Sequence, residues 1–348
     1  MTPALAVAGA GLIGRRHVAA IAASGAARLH AVVDPAPEAR DWAEAQGARW
    51  FPTLEAMIAA DRPDGVILAT PNALHAGGAM ACIAAGLPVL VEKPITTDVA
   101  AARAMVMAAA AAGVPLAVGH HRRHNPLIAA AKATIDAGRL GRIVAVQAMF
   151  WAAKPDDYFD VAWRREPGAG PVFVNLIHDV DLLRHLCGEI TSVRALTTNA
   201  VRGNPVEETA AILFTFASGA LGTASVSDTI VSPWSWELTA RENPAYPATD
   251  AACYRIGGTE GSLELPGLTR WHDGGARNWW APLSATRTPF GLDDPLILQI
   301  RQFARVVQGL EPPLVPGHEG LATLAVIAAI HRSAASGGDP MQPDPATP

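Results

Sequence analysis

Two places in the 348-residue chain gather residue types that can hold a developing charge or move a proton. The first is Glu92-Lys93-Pro94. Residues 88–91 ahead of it read as a short buried strand, and Pro94 ends such a strand while stiffening the backbone beside Lys93. The lysine is then held at the carboxyl edge of a strand, where open α/β sheets bind ligands. Alone, the tripeptide fits a surface Glu-Lys pair before a turn equally well. The second place is Asn175, His178, Asp181 and His185, a polar stripe at helical spacing with Phe173, Ile177, Val180 and Leu183 on the opposite, apolar side. An ammonium stabilises negative charge on oxygen, and an imidazole, which titrates near neutral pH, takes or gives a proton. The helix by itself also fits a core histidine bonded to Asp179 or Asp181.

The elements that must position these groups begin at residues 5–8, a strand running into Gly9-Ala10-Gly11-Leu12-Ile13-Gly14. In a strand-turn-helix setting Gly9 permits the tight turn, Gly11 lets the backbone approach a pyrophosphate, and Gly14 lets helix pack closely on strand. Leu12 and Ile13 open that helix at the cofactor. A second strand, 29–33, ends on Asp34, the distance beyond the glycines at which an acid grips the adenosine ribose. A carboxylate there accepts both ribose hydroxyls and repels a 2′-phosphate, which favours NAD. Arg40 on the next turn keeps NADP as the second reading.

Helices near 38–46, 53–59, 73–85 and 97–112 and strands at 65–68, 88–91 and 115–118 continue the alternation, which means a parallel, doubly wound sheet. The strand ends carry Thr70-Pro71-Asn72 with His75, then Gly119-His120-His121-Arg122-Arg123. Thr70 and Asn72 suit turn and helix-cap chemistry. They equally suit contact with the nicotinamide half of a dinucleotide. The basic segment reads as a solvated connection between domains or as one more sheet edge over the cofactor.

In the second half, 126–137 reads as a helix and 142–151 as an alternating strand, followed by the polar stretch Lys154 to Tyr158. Residues 206–216 and 220–228 form two strands joined by a tight hairpin at Ala217-Ser218-Gly219. Residues 236–240, 253–256 and 262–265 read as shorter strands, and 293–308 and 317–336 as closing helices. Runs of strands after the parallel half indicate a largely antiparallel sheet, and one covered by helices on a single face needs a partner on the other. Trp271, Trp279 and Trp280 fall in a glycine-rich, polar region that fits a loop over the site, though some of them read better as ordinary core or interface aromatics.

Together, Gly9-x-Gly11-x-x-Gly14, Thr70-Pro71-Asn72-x-x-His75, Ala85-Gly86 leading to Glu92-Lys93-Pro94, and Arg122-Arg123 before Pro126 resemble the glucose-fructose oxidoreductase, inositol dehydrogenase and rhizopine-catabolism family, Gfo/Idh/MocA. The resemblance covers nearly the whole chain. It implies an α/β protein: an N-terminal doubly wound parallel (Rossmann) sheet in residues 1–122, an α+β C-terminal domain with a largely antiparallel open sheet in 123–338, and a flexible tail, 339–348. It also implies an NAD(P)-dependent dehydrogenase moving a hydride between nicotinamide and a secondary alcohol of a sugar, cyclitol or related polyol. Lys93 would contact the reacting hydroxyl and His178 would assist proton transfer. Gly9, Gly11, Leu12, Ile13, Gly14, Asp34, Thr70, Asn72, His75, Glu92 and Lys93 would bind the cofactor. His121, Arg122, Lys154, Tyr158, Asn175 and Asp181 would line the substrate pocket with His178, and no metal is required. Many relatives carry an acid four residues before the histidine, where this chain has Val174. That departure keeps open a non-catalytic NAD(P)-binding regulator, and relatives that recycle a tightly held cofactor keep open a cofactor-retaining sugar-converting enzyme.

Composition narrows the field. A net charge of -5 gives no electrostatic footprint for nucleic acid or an anionic membrane. Cys82, Cys187 and Cys253 are odd in number, far apart and without metal-ligand spacing, which indicates a reducing compartment. Residues 4–13 lack a basic region before them and read as a strand rather than a signal peptide. The run 321–330 is too short to span a bilayer. The expectation is a cytoplasmic homodimer or homotetramer, joined through the C-terminal sheet and acting on a small molecule.

Overall fold

The computed structural model describes residues 1–345. Short apolar runs form the strands β1 (Ala4–Ala8), β2 (Arg28–Val33), β3 (Arg49–Phe51), β4 (Gly65–Leu68), β5 (Val89–Val91) and β6 (Leu116–Val118). Every residue of β1, β4, β5 and β6 is buried, as strands covered on both faces must be. All pairs are parallel, in the order β3-β2-β1-β4-β5-β6. Strand order therefore reverses between β1 and β4, and ligands of such sheets bind beyond the carboxyl ends at that point.

The intervening helices are α1 (Leu12–Ser24), α2 (Glu38–Ala45), α3 (Leu54–Ala60), α4 (His75–Ala84) and α5 (Val99–Ala112). The Thr53 hydroxyl caps α3 by accepting from the Ala56 amide, and Gly25, at φ 63°, ends α1. Asp98 accepts from the Ala101 amide to begin α5, and Gly113, at φ 64°, ends it.

A second sheet follows, built from β7 (Ile143–Trp151), β8 (Ile190–Thr198), β9 (Thr209–Phe216), β10 (Leu221–Ser227), β11 (Tyr254–Gly258), β12 (Ser262–Leu265), β13 (Thr269–His272) and β14 (Ser284–Arg287). Its order is β14-β13-β12-β11-β7-β10-β9-β8, antiparallel except for the β7–β10 pair. The helices of this half are α6 (Pro126–Asp136), α7 (Pro171–Val174), α8 (Leu176–Cys187) and α9 (Trp236–Thr239), and α10 (Pro295–Val307) and α11 (Gly317–Ala335) close the chain. One face of the sheet shares a core with α6, α8 and α11: Phe150, Ile212 and Phe214 pack with Leu127, Val180, Leu183 and Ile327. On the other face Leu196, Leu213 and Leu221 are exposed.

The chain divides into two units, residues 1–125 with Asp293–Leu324, and Pro126–Leu292 with Ala325–Asp344. α10, expected among the closing helices of the second half, joins the first unit. The reason is its apolar stripe: Leu296, Ile300 and Phe303 share a core with Val18 and Ile21 of α1. Residues 236–240, expected as a strand, are helical, because the Ser235 hydroxyl caps α9 by accepting from the Leu238 amide. Strands β3, β8, β13 and β14 were not anticipated. The expected flexible tail is in contact as far as it is described. Met341 and Val193 exchange backbone hydrogen bonds of 2.9 Å, and Ser333 donates to the Asp339 carbonyl at 2.6 Å. Residues 346–348 lie outside the described residues. No helix among the described residues is long and apolar enough to cross a membrane.

Candidate active site

In the first unit the glycine turn has the shape its residue types imply. Gly9 adopts φ 100°, and a Cβ there would lie 2.4 Å from the Ala69 carbonyl oxygen. A Cβ on Gly14 would lie 1.9 Å from the Gly9 oxygen, so helix and turn touch as only glycine allows. Gly11 is different: a Cβ there meets nothing within 4 Å. It is also the N-cap of α1, without a side-chain cap and without an acid in the first turn. The first amides of α1, at Leu12 and Ile13, thus lack a side-chain acceptor, which suits a pyrophosphate.

Asp34 closes this turn from β2. One carboxylate oxygen accepts from the Ala10 amide at 2.7 Å and the other from Ala36 at 2.9 Å. A carboxylate keeps further lone pairs for ribose hydroxyls. Arg40 is turned to its own helix and pairs with Glu44 at 3.1 Å on the exposed side. At the end of β4 the Thr70 hydroxyl is buried without a partner. Open space at Gly11 and an orphan donor at Thr70 are the features a bound dinucleotide would fill.

His75 does something other than expected. It is buried, with Nδ1 2.9 Å from the Pro94 carbonyl and Nε2 2.9 Å from the Thr70 carbonyl. Both ring nitrogens are engaged by backbone, so His75 braces the ends of β4 and β5 rather than presenting a nitrogen to a cofactor. Asn72 lies half-buried in the short turn between them.

Glu92 and Lys93 emerge from β5, with a cis Lys93–Pro94 bond. The Glu92 carboxylate accepts from His17 Nε2 at 2.7 Å through one oxygen and from the Lys93 amide at 3.0 Å through the other. Burial pushes this carboxyl up, but the His17 hydrogen bond, with charge interactions from His17, His121 and Lys93, outweighs it and holds the group at about 2. His121 is pushed down to about 3 by burial and by the Arg122 charge, against the pull of Glu92. Arg122 and Arg123 are both buried, and Arg123 pairs with Glu319 at 2.7 Å, so the segment is not a solvated connection. Lys93, Glu92, His121 and Arg122 thus form one electrostatic group at the sheet edge.

In the second unit the expected single helix is broken. α7 ends at Val174, Asn175 takes φ -107° and ψ -57°, and α8 begins at Leu176. Glu207 holds the start of α7, accepting from the Val172 amide at 3.2 Å and filling the space where a Cβ on Gly170 would sit. Asn175 Oδ1 is buried without a partner at the break. His178 and Asp181 of the polar stripe are buried, as is Asp179, while Asn175 and His185 are half-buried. Asp179 accepts from the Tyr254 hydroxyl. That accounts for one of the two acids that might have satisfied His178.

Lys154 and Tyr158 sit in a charged cluster of the same unit. Lys154 Nζ lies 3.2 Å from Asp228, which also receives Arg202 at 2.6 Å. Burial pushes the Lys154 ammonium down, and Asp228 opposes the shift. Tyr158 is packed under Arg164, whose guanidinium carbon is 4.2 Å from the ring centre. Sequence reasoning missed His17, Tyr254, Glu207, Arg202 and Asp228. Only His17 carried a local signal, since it falls with Gly14, Val18 and Ile21 on the buried stripe of α1, where an ionisable residue needs a partner.

Comparison with known proteins agrees with this architecture. Residues 4–120 match the family model described as "Oxidoreductase family, NAD-binding Rossmann fold", and residues 128–264 match the GFO/IDH/MocA C-terminal domain. An inositol 2-dehydrogenase of Rubrobacter xylanophilus is 30% identical over 316 residues, covering 82% of this chain and 88% of the relative. The rhizopine catabolism protein MocA of Rhizobium meliloti is 28% identical and covers 93% of both. The WlbA dehydrogenase of Bordetella pertussis, crystallised with NADH and UDP-GlcNAcA, superimposes with a TM-score of 0.79 at 30% identity over 99% of both chains. With this likeness along nearly its whole length, the chain belongs to the Gfo/Idh/MocA family of NAD-binding oxidoreductases.

Proposed function

We propose that the protein catalyses reversible oxidation of a secondary alcohol on a sugar, cyclitol or related polyol. The observation that carries this reading is the Glu92 clamp, which fixes the Lys93 backbone at the strand end where such sheets bind ligands. The inositol 2-dehydrogenases among the relatives support the substrate class. Bound nicotinamide would supply the hydride acceptor. Lys93 donates a hydrogen bond to the reacting oxygen and stabilises negative charge there as the C–H bond breaks. His178 accepts the hydroxyl proton, and Asn175, with its buried unpaired oxygen, receives a neighbouring substrate hydroxyl. Asp34 binds the adenosine ribose and selects NAD over NADP.

The working form is a homodimer or homotetramer joined through the exposed face of the second sheet, where Leu196, Leu213 and Leu221 lie bare. The test of the chemistry is reduced-cofactor formation across monosaccharides, anhydrosugars, inositols and sugar acids, with NAD and NADP in parallel and Lys93→Met as control. A substrate whose signal disappears in Lys93→Met is the expected result. Cofactor binding without turnover of any substrate would overturn the proposal in favour of a regulatory protein, and turnover by Lys93→Met within about tenfold of the parent, roughly 1.4 kcal/mol of barrier, would remove Lys93 from the mechanism.

A further inference from the structure

We propose that His17 is a positioning residue for Lys93, acting through Glu92, so that one helix sets both the cofactor cradle and the reacting cation. The inference rests on the reading of Lys93 as the catalytic cation. α1 opens at Gly11, the open point of the glycine turn, and carries His17 on its buried side. The imidazole is 0% exposed, and its Nε2 meets Glu92 Oε1 at 2.7 Å. A carboxylate oxygen only accepts, so Nε2 carries the proton of this bond. The other Glu92 oxygen takes the Lys93 amide at 3.0 Å.

Glu92 cannot choose this position by itself. A Cβ on Gly119, at the end of β6, would lie 2.9 Å from the Glu92 carboxyl carbon, so the carboxylate is wedged between α1 and that strand end. Gly119 in turn is fixed by its amide, which donates to the Val91 carbonyl at 2.7 Å. The side chain therefore has one wall that keeps it from moving away and, besides the amide of its own neighbour Lys93, one side-chain donor that orients it. His17 is the donor. Without it a buried carboxylate loses a charge-assisted hydrogen bond and rotates or takes a proton, and the Lys93 backbone loses its anchor. A reacting group displaced by about 1 Å can lose on the order of a hundredfold in rate.

Three replacements separate positioning from simple packing. Gln at position 17 puts an amide nitrogen near the place of Nε2, Asn is too short to reach Glu92, and Leu fills the space without a donor. The expected result is kcat lower by on the order of tenfold to a hundredfold in His17→Leu and His17→Asn, with KM and NAD affinity nearly unchanged, and recovery in His17→Gln. The cofactor-free protein supplies a second readout: the Lys93 amide should exchange with deuterium faster in His17→Asn than in the parent or His17→Gln. A core role alone would not split Gln from Asn in kcat once melting temperatures agree. If Lys93→Met is inactive while His17→Asn matches the parent in kcat and in Lys93 amide exchange, the proposal is overturned and the role of Lys93 stands. If His17→Leu fails to fold, the Gln and Asn pair decides by the same comparison. If Lys93→Met itself turns over normally, it is the catalytic reading of Lys93 that fails, and amide exchange still reports whether His17 orders that backbone.

Discussion

Tyr254 of β11, completely buried and stacked on Trp236 at 5.6 Å, donates its hydroxyl to Asp179 of α8, the residue next to His178. This contact ties the histidine helix to the middle of the second sheet. Replacing Tyr254 by Phe keeps the ring and its stacking but removes the donor, leaving a buried carboxylate short of one hydrogen bond. The expected loss is roughly 1–3 kcal/mol of stability. Urea unfolding of Tyr254→Phe measures it directly, and an unchanged midpoint at constant slope would show that Asp179 is satisfied without the hydroxyl.

Asp34 performs two tasks that one substitution separates. Its carboxylate closes the glycine turn through Ala10, and it opposes a 2′-phosphate, which carries about -1.5 to -2 charge. Asp34→Ala should therefore weaken NAD binding and also lower the ratio of kcat/KM for NAD to that for NADP by about tenfold or more, equivalent to roughly 1.4 kcal/mol. The ratio is the decisive quantity, since loss of the turn contact alone depresses both cofactors together. An unaltered ratio would take cofactor choice away from Asp34.

Stability should depend on pH through His121 and then Glu92. His121 ionises near 6.5 when unfolded but is held at about 3 in the folded protein by burial and Arg122, with Glu92 opposing. Between those values the unfolded chain binds a proton that the folded chain refuses, so stability falls as pH drops below 6.5. Glu92, lowered from 4.5 to about 2, adds a second loss of the same sign as pH falls below 4.5. Melting temperatures measured from pH 7.5 to pH 4 should fall for the parent, and the slope between 6.5 and 4.5 should be shallower in His121→Gln. Parallel curves for the two proteins would mean that His121 is protonated in the folded state.

The parts of this structure that could be read from sequence are those whose cause is local. Gly9 and Gly14 declare a turn because no other side chain fits there, Gly11 leaves the space between them open, and Asp34 follows at the length of one helix and one strand. The strands at 206–216 and 220–228 were legible because their apolar and polar residues alternate, and along β10 Gly222, Ala224 and Val226 are buried. What stayed hidden depends on partners far along the chain. His17 meets Glu92 and Asp179 meets Tyr254 across 75 residues in each case, and α10 returns to α1 after the whole second sheet has intervened. Residues 236–240 failed for a different reason: a short apolar run reads alike as strand or helix, and only the Ser235 cap decides. Lys154 was expected at a ligand, and its ion pair with Asp228 came from a strand whose polar end carried no periodic signal.

The exposed sheet face yields the last prediction. Leu213 of β9 is 54% exposed and Leu221 of β10 is 63% exposed, on strands whose alternate residues form the core. Leu196 on β8, 60% exposed, extends the same apolar surface, while Arg255 lies among charged partners on β11 and β12, paired with Glu264 at 3.3 Å. Large apolar side chains on three strands of one face are more than a monomer usually leaves in water. An interface between two copies through one face is isologous, so each substitution is placed twice. Leu213→Asp with Leu221→Asp would then put four carboxylates into one interface, where unpaired buried charge is strongly unfavourable. Sedimentation at micromolar concentration should give a dimer or tetramer for the parent and a folded monomer for the double variant. A parent that sediments as a monomer, or a variant that keeps the parent's assembly, would assign the bare leucines to some other contact.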